Sequence, residues 1–282
     1  MSSTNSAAYL KAPRASPLVV EKATDPASPS HTQVVIKAHS IAINPLDVII
    51  QQTGMIVPEE AYPFILGSDI AGEVVAVGSS VNKVKPGDRV LACAESGCFQ
   101  LFNTVEQSLL TVLPDNITFT QGSVLPLALC TAAVMLFQDD TLALSLPKVN
   151  PISNGKAVLA WGGASAVGSC GIQMLKAAGY DVAAVASLTN SQYCKDLGAD
   201  YVFDYKSANV QSEIIAELKG KHFAGVFCPI MSADTIAICT QIAAQLGDGK
   251  ENKVVATSLA HAMPYGGKIP EGVTVTYCKF LS

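Results

Sequence analysis

The sequence predicts an α/β chain in which a β-rich amino-terminal part precedes a six-stranded, doubly wound parallel sheet. Three observations carry this. Between Lys156 and Gly179 a short apolar strand runs through the glycine-rich turn Trp161-Gly162-Gly163-Ala164-Ser165-Ala166-Val167-Gly168 into an amphipathic helix. Beyond it, short apolar runs alternate with segments of helical periodicity, the spacing of strand–helix–strand units. Before Lys148 glycine and proline interrupt strand-like segments often, which reads as a separate β-rich domain. The expected domains are therefore 1–147 and 148–282, with Pro147 and Pro151 marking the linker.

Composition sets the bounds. At 282 residues the chain suits two cores, and 49% hydrophobic against 15% charged residues describes a well-buried globular protein. A net charge of −5 argues against nucleic acid or an anionic membrane as partner. The start M-S-S-T-N-S-A-A-Y-L has neither the basic region nor the apolar core of a signal peptide. The longest apolar stretch, Val124 to Phe137, contains Pro126 and reads as too short to span a bilayer, so a cytoplasmic location is expected. The eight cysteines never form C-x-x-C and sit mostly among apolar neighbours, which reads as scattered reduced thiols. His31, His39, His222 and His261 show no paired-ligand spacing, and no metal site is expected.

In order along the chain, Gln33 to Ala38 and Ile70 to Val77 read as strands, and Lys85-Pro86-Gly87-Asp88 as a turn feeding the strand Arg89 to Ala92. Val124 to Gln138 is helix-like, and Ser145 to Gly155 a loop. Val158 to Trp161 begins the parallel sheet. Val167, Cys170, Gly171, Met174, Leu175 and Ala178 recur at helical spacing, with Gly179 as the stop. Five more strands follow: Asp181 to Ala186, Tyr201 to Tyr205, Gly225 to Phe227, Asn252 to Thr257 and Gly272 to Lys279. Helices are expected at Ser191 to Leu197, Val210 to Lys219 and Ala233 to Leu246.

The glycine-rich turn is where this architecture meets chemistry. Gly162 and Gly163 permit backbone conformations that a Cβ would forbid, and Gly168 lets the helix pack tightly on the strand. Backbone N–H groups at the helix start would face an anion, so a pyrophosphate fits against Gly162, Gly163, Ala164, Ser165, Ala166 and Val167. Ser165 stands where G-x-G-x-x-G has its middle glycine, and a tight strand-to-helix turn alone would account for the same residues. At the tip of the second strand a fold that binds NAD carries Asp or Glu for the ribose 2′-OH, whereas this chain has Ser187-Leu188-Thr189-Asn190. That tip would tolerate a 2′-phosphate, and NADPH is the expected cofactor. No Arg or Lys sits in it, Lys195 being the nearest.

Several motifs taken together resemble the medium-chain dehydrogenase/reductase superfamily. They are Ala42-Ile43-Asn44-Pro45-Leu46-Asp47, Leu66-Gly67-Ser68-Asp69-Ile70-Ala71-Gly72-Glu73-Val74-Val75-Ala76-Val77-Gly78, Lys85 to Val90, the glycine-rich turn, Leu197-Gly198-Ala199-Asp200 and Val202-Phe203-Asp204-Tyr205. They cover nearly the whole chain in the expected order, and look most like the zinc-independent enoyl and quinone reductase branch, including fungal trans-acting enoyl reductases that serve polyketide synthases. The resemblance implies a GroES-like amino-terminal domain, a Rossmann domain, and Ser187, Asn190 and Tyr205 as phosphate contacts, with Tyr193 also in reach. It also implies that Thr131 lines the nicotinamide and substrate cleft, with Asn44 and Asp47 on the loop facing it. Each has a plainer role: Thr131 can bond the preceding helical turn, Asn44-Pro45 can shape a turn, and Asp47 can cap the next segment.

The departures from the family pattern shape the functional expectation. Zinc alcohol dehydrogenases carry cysteine at Asn44 and histidine at Ser68. Without that Lewis acid, hydride addition to an activated C=C is the expected chemistry. Relatives often carry Lys or Tyr where this chain has Ile49, and mitochondrial-type enoyl reductases a tyrosine where it offers Gln52-Thr53-Gly54-Met55. Protonation is then left to water, Thr131, Tyr62 or His261. Relatives also continue past the sixth strand, where this sequence stops at Phe280-Leu281-Ser282, which leaves one wall of the cleft open or supplied by a second copy. The expected function is NADPH-dependent reduction of a small unsaturated carbonyl in secondary metabolism. A quinone or aldehyde reductase shares every motif, and a non-redox isomerase or cyclase, or a synthase-assisting protein, is the alternative on the same scaffold.

Overall fold

A computed structural model describes residues 4–260 and 264–279. The chain divides into two compact units, Met1–Leu127 and Ala128–Ser282.

The first unit is built from antiparallel sheets. Strands β1 (Ser6–Leu10), β2 (Val19–Lys22) and a short β4 (Phe64–Ile65) form one sheet in the order β2-β1-β4. The long strand β3 (Gln33–Ala42) is followed by helix α1 (Pro45–Thr53). β3 pairs with β5 (Asp69–Val77) and β7 (Phe102–Glu106) in a five-stranded sheet completed by β6 (Arg89–Cys93) and β8 (Leu110–Val112), ordered β7-β3-β5-β6-β8. The turn expected at Lys85 to Asp88 is present. Gly87 takes a φ of +92°, where a glycine is favoured, and its N–H donates to Val74 O at 2.8 Å. Buried Val34, Ile36, Ile70, Val74, Val90 and Val105 form the core of this sheet, with Val34 and Ile36 two positions apart on β3.

Two helices link the units in sequence, α2 (Phe119–Gly122) and α3 (Pro126–Phe137). By length and composition alone the stretch Phe119–Phe137, which spans α2 and α3, is long and apolar enough to cross a membrane, and it is longer than the Val124 to Phe137 stretch read from the sequence. Half of it is buried in the fold, and Ala132, Met135 and Leu136 are fully so.

The second unit holds the expected six strands: β9 (Lys156–Trp161), β10 (Asp181–Ala186), β11 (Tyr201–Asp204), β12 (His222–Cys228), β13 (Val254–Ala260) and β14 (Thr274–Cys278). Between them lie α4 (Ala166–Ala177), α5 (Ser191–Asp196), α6 (Val210–Leu218) and α7 (Ala233–Leu246). All pairings are parallel, in the order β11-β10-β9-β12-β13-β14. Alternation explains the unbroken apolar runs. Val158, Ala160, Val182 and Ala184 face one buried cluster, while Ala157, Leu159, Trp161, Ala183 and Val185 face the other. A strand covered by helices on both faces has no position left for polar residues. β9 has β10 on one side and β12 on the other, so the strand order reverses at its carboxyl end, where such sheets bind ligands.

Candidate functional site

The turn after β9 lies at that reversal. Gly162 has a φ of +83°, a conformation that disfavours any side chain. Gly163 differs from the sequence expectation, since its φ is not in the left-handed region. It is crowded instead: a Cβ there would lie 3.0 Å from Ile172 Cδ1, 3.1 Å from Ala184 Cβ and 3.3 Å from Cys194 Sγ. At Gly168 a Cβ would lie 2.1 Å from Gly162 O, so the helix sits closer to the strand than any larger residue allows. The N–H groups of Gly162 and Gly163 both donate to Val185 O at 2.9 Å, fastening the turn to β10.

Ser165 has a definite task where the generic fingerprint has glycine. It is the N-cap of α4, with φ −73° and ψ 161°. Its Oγ accepts the Gly168 N–H at 3.0 Å and donates to Gly162 O at 2.8 Å. The Ser169 N–H donates to Ser165 O at 2.7 Å. Helix geometry leaves the N–H groups of Ala166 and Val167 in the first turn for an outside acceptor. The cradle therefore fits the pyrophosphate of a dinucleotide: no Cβ intrudes at Gly162 or Gly168, and the donors lie at a helix start.

Of the residues expected at the second-strand tip, Ser187 and Thr189 join their hydroxyls at 2.9 Å, and Asn190 is exposed beside them. Tyr205 is half exposed, and its N–H donates to Ala186 O at 3.2 Å, which places it next to Ser187. Tyr193 donates through its hydroxyl to Ser169 Oγ at 3.1 Å, tying α5 to α4. The tip itself holds no basic residue, as read from the sequence, but one follows Tyr205 in the chain. Lys206 Nζ stands 5.8 Å from the centre of the Tyr205 ring. The signal was its position one residue after Tyr205, in the turn that leaves the strand neighbouring the second.

Asn44, Asp47, Ser68 and Asp69 lie together in the first unit. Asp47, 6% exposed in the first turn of α1, accepts the Asn44 N–H at 2.7 Å and the Gly67 N–H at 2.9 Å. Both carboxylate oxygens are thus committed to backbone, the capping role. Asn44 donates through Nδ2 to Asp69 Oδ2 at 2.8 Å, and Asp69, 1% exposed, also accepts the Leu127 N–H at 2.6 Å. Ser68 donates to Glu95 O at 3.2 Å. Burial pushes both carboxyls above the ordinary carboxylate range, opposed by these hydrogen bonds, and the Asp47 charge adds to the rise at Asp69. Burial and the same two carboxylates push the Cys98 thiol up to about 12. Asp69 went unnoticed in the sequence as more than part of a motif; its place directly after Ser68 was the available signal.

Thr131 is buried on α3, 6% exposed. Tyr62 packs against the cluster of Leu10, Ile50, Val57, Leu66 and Phe99, its hydroxyl buried with no hydrogen-bond partner among the described residues. His261 lies outside the described residues. None of the eight cysteines is in a disulfide, and seven are buried. Among the described residues no group of three or more His, Cys, Asp or Glu could hold a metal ion.

Comparison with known proteins agrees with this architecture. Residues 30–133 match the alcohol dehydrogenase GroES-like domain, and residues 166–248 match the family described as zinc-binding dehydrogenase. The chain is 36% identical over 278 residues to the dehydrogenase azaJ of Aspergillus niger, covering 94% of this chain and 77% of that one. It is 36% identical over 253 residues to the trans-enoyl reductase himH of Aspergillus japonicus, covering 87% and 70%. Among solved structures, a mycobacterial protein complexed with NADPH superposes with a TM-score of 0.71 at 25% identity, over 97% of this chain and 80% of that one. The chain belongs to the medium-chain dehydrogenase/reductase superfamily, as an oxidoreductase with a GroES-like first domain and a Rossmann second domain.

Proposed function

We propose that this protein is an NADPH-dependent, zinc-independent reductase of activated C=C bonds, acting on an enoyl or enone substrate. The observation that carries the reading is the Asn44 amide. At the position where zinc alcohol dehydrogenases bring a cysteine thiolate, Asn44 Nδ2 is a hydrogen-bond donor committed to Asp69. The other such position, Ser68, donates its hydroxyl to a backbone carbonyl. Polarising a plain alcohol or carbonyl would ask for a Lewis acid, while an α,β-unsaturated carbonyl already carries its activation. Similarity to a trans-enoyl reductase supports the same substrate class, and an unsaturated acyl chain carried by a polyketide synthase partner is the form in which it would be met.

Bound NADPH would supply the hydride for the β-carbon. The chain's own part is to hold and to exclude. Gly162 to Val167 would hold the pyrophosphate, and Ser187, Asn190 and Tyr205 the 2′-phosphate. The acid-free tip at Ser187 favours NADPH over NADH, as does likeness to a protein complexed with NADPH. Thr131 and Asn44 are the side chains proposed to meet the substrate, with the α-carbon protonated from water. Asp47 acts by shaping the Asn44 loop, since both its oxygens are occupied.

The test is direct. Purified protein is incubated with NADPH and a panel of enoyl thioesters, enones and quinones, following NADPH absorbance and product mass together. Consumption of NADPH with a product two mass units heavier than an enoyl or enone substrate is expected. Product without NADPH consumption, as an isomerase or cyclase would give, overturns the reading.

A further inference from the structure

We propose that Lys206 is the cation that recognises the cofactor's 2′-phosphate. The inference rests on the NADPH reading above and supplies the charge that the Ser187 to Asn190 tip lacks. β10 and β11 run parallel with Ala186 opposite Asp204, and the Tyr205 N–H extends that pairing by one bond, to Ala186 O at 3.2 Å. The chain leaving β11 therefore emerges one strand spacing, about 4.8 Å, from the chain leaving β10 toward Ser187.

Its direction there is held. Asp204 Oδ1 accepts the Lys206 N–H at 3.0 Å, and Asp204 O accepts the Ser207 N–H at 3.0 Å, a tight turn that fixes where the lysine starts. The side chain then lies along Tyr205, which is half exposed, with Nζ 5.8 Å from the ring centre. Across the strand ends are the paired hydroxyls of Ser187 and Thr189. One ammonium, one phenol and two hydroxyls suit a phosphate dianion, which lysine binds as a point charge and hydroxyls bind as donors.

The other charges at this edge do not compete. The Asp204 carboxylate is engaged by its own turn, and among the described residues no carboxylate lies within ion-pair distance of Lys206 Nζ. Lys195 sits in the last turn of α5, at the opposite end of that helix from Asn190. The aromatic ring beneath the ammonium limits the orientations it must lose on binding.

Dissociation constants for NADPH and NADH, measured by cofactor fluorescence on the full chain without substrate, test the assignment. For Lys206→Ala, NADPH binding should weaken about tenfold while NADH stays within about twofold, the difference made by one charged hydrogen bond. Lys206→Arg should recover most of the loss, because it restores the charge. Lys206 is exposed, so thermal midpoints should not move. Wild-type preference for NADPH with an unchanged preference in Lys206→Ala would overturn the role of Lys206 and leave the NADPH reading standing. Tighter binding of NADH by the wild type would overturn both.

Discussion

Replacing Asn44 by alanine removes the amide from between two buried carboxylates, and the structure fixes what that should do. Asp69 accepts two hydrogen bonds, from Asn44 Nδ2 at 2.8 Å and from the Leu127 N–H at 2.6 Å, and is 1% exposed. The substitution leaves Oδ2 without its donor in a place water does not reach. A hydrogen bond to a charged group is worth about 1.5–3 kcal/mol net, and a stranded buried acceptor sits at the upper end of that range. Asn44→Ala should therefore destabilise the fold by about 2–3 kcal/mol near neutral pH. In a double-mutant cycle with Asp69→Ala, most of that loss should vanish once the carboxylate is gone.

The pH dependence has a definite sign. Burial holds the Asp69 carboxyl above its ordinary value of 3.8, and the Asn44 amide opposes the rise. A carboxyl raised on folding keeps its proton more tightly in the native state. Its stabilising contribution is thus complete below the ordinary value and is lost as pH climbs through the folded one. Removing the amide pushes the folded value further up, so the deficit of Asn44→Ala should be larger at about pH 8 than at about pH 5. Urea titrations at both pH values, with unchanged m, read it as a shift of midpoint. A deficit below about 0.5 kcal/mol, or one larger at acid pH, would refute the account of a buried carboxylate held by its amide.

Other substitutions probe the remaining parts. Gly168→Ala places a Cβ 2.1 Å from Gly162 O, so the turn must open; stability should fall by about 1–3 kcal/mol and NADPH affinity by more than about tenfold, checked by melting and by cofactor titration. Ser165→Ala should cost about 1 kcal/mol through the lost cap of α4, whereas Ser165→Gly should cost only a few tenths; equal losses would refute the capping role. Tyr62→Phe should be neutral or stabilise by up to about 1 kcal/mol, since it deletes a buried hydroxyl with no partner among the described residues, and chemical denaturation decides it.

The parallel sheet was legible because its signals are local. After Asp181 the run V-A-A-V-A is apolar at every position, as a strand covered on both faces requires, and the glycines at 162, 168 and 179 each mark a place where a Cβ would strain or collide. The site was legible only where one segment holds it whole. The phosphate turn is such a segment. The two features that pattern reading passed over, Lys206 near Ser187 and Asp69 beside Asn44, join residues separated by a helix and a strand or, for Asn44 and Asp69, by 25 positions. Parallel pairing brings β11 against β10, and antiparallel pairing brings Asp69 opposite Ala42, two residues from Asn44. Neither neighbour can be counted along the chain.

Asp69 also bears on what kind of site this is. Asp47 and Asp69 bring two carboxylates into one buried region, and a region of that sort needs positive charge or enough donors to hold it. Here four N–H groups take that place: the backbone of Asn44, Gly67 and Leu127, and the Asn44 amide. These donors oppose the effect of burial without overcoming it, so the carboxyls stay above their usual range, and burial with the two carboxylates keeps the nearby Cys98 thiol protonated. A protonated thiol, a donating amide and a donating hydroxyl at Ser68 are poor company for a divalent cation, which wants thiolate, imidazole or free carboxylate oxygens. The same arrangement costs little to a reaction that adds hydride to an already polarised double bond. Exchanging Asn44 for cysteine and Ser68 for histidine together would put soft ligands beside Asp47 and Asp69, and zinc binding gained by that pair, measured by competition with a chelator, is what this reasoning expects; failure of the pair to bind zinc would mean that the backbone donors, and not the two side chains, set the character of the site.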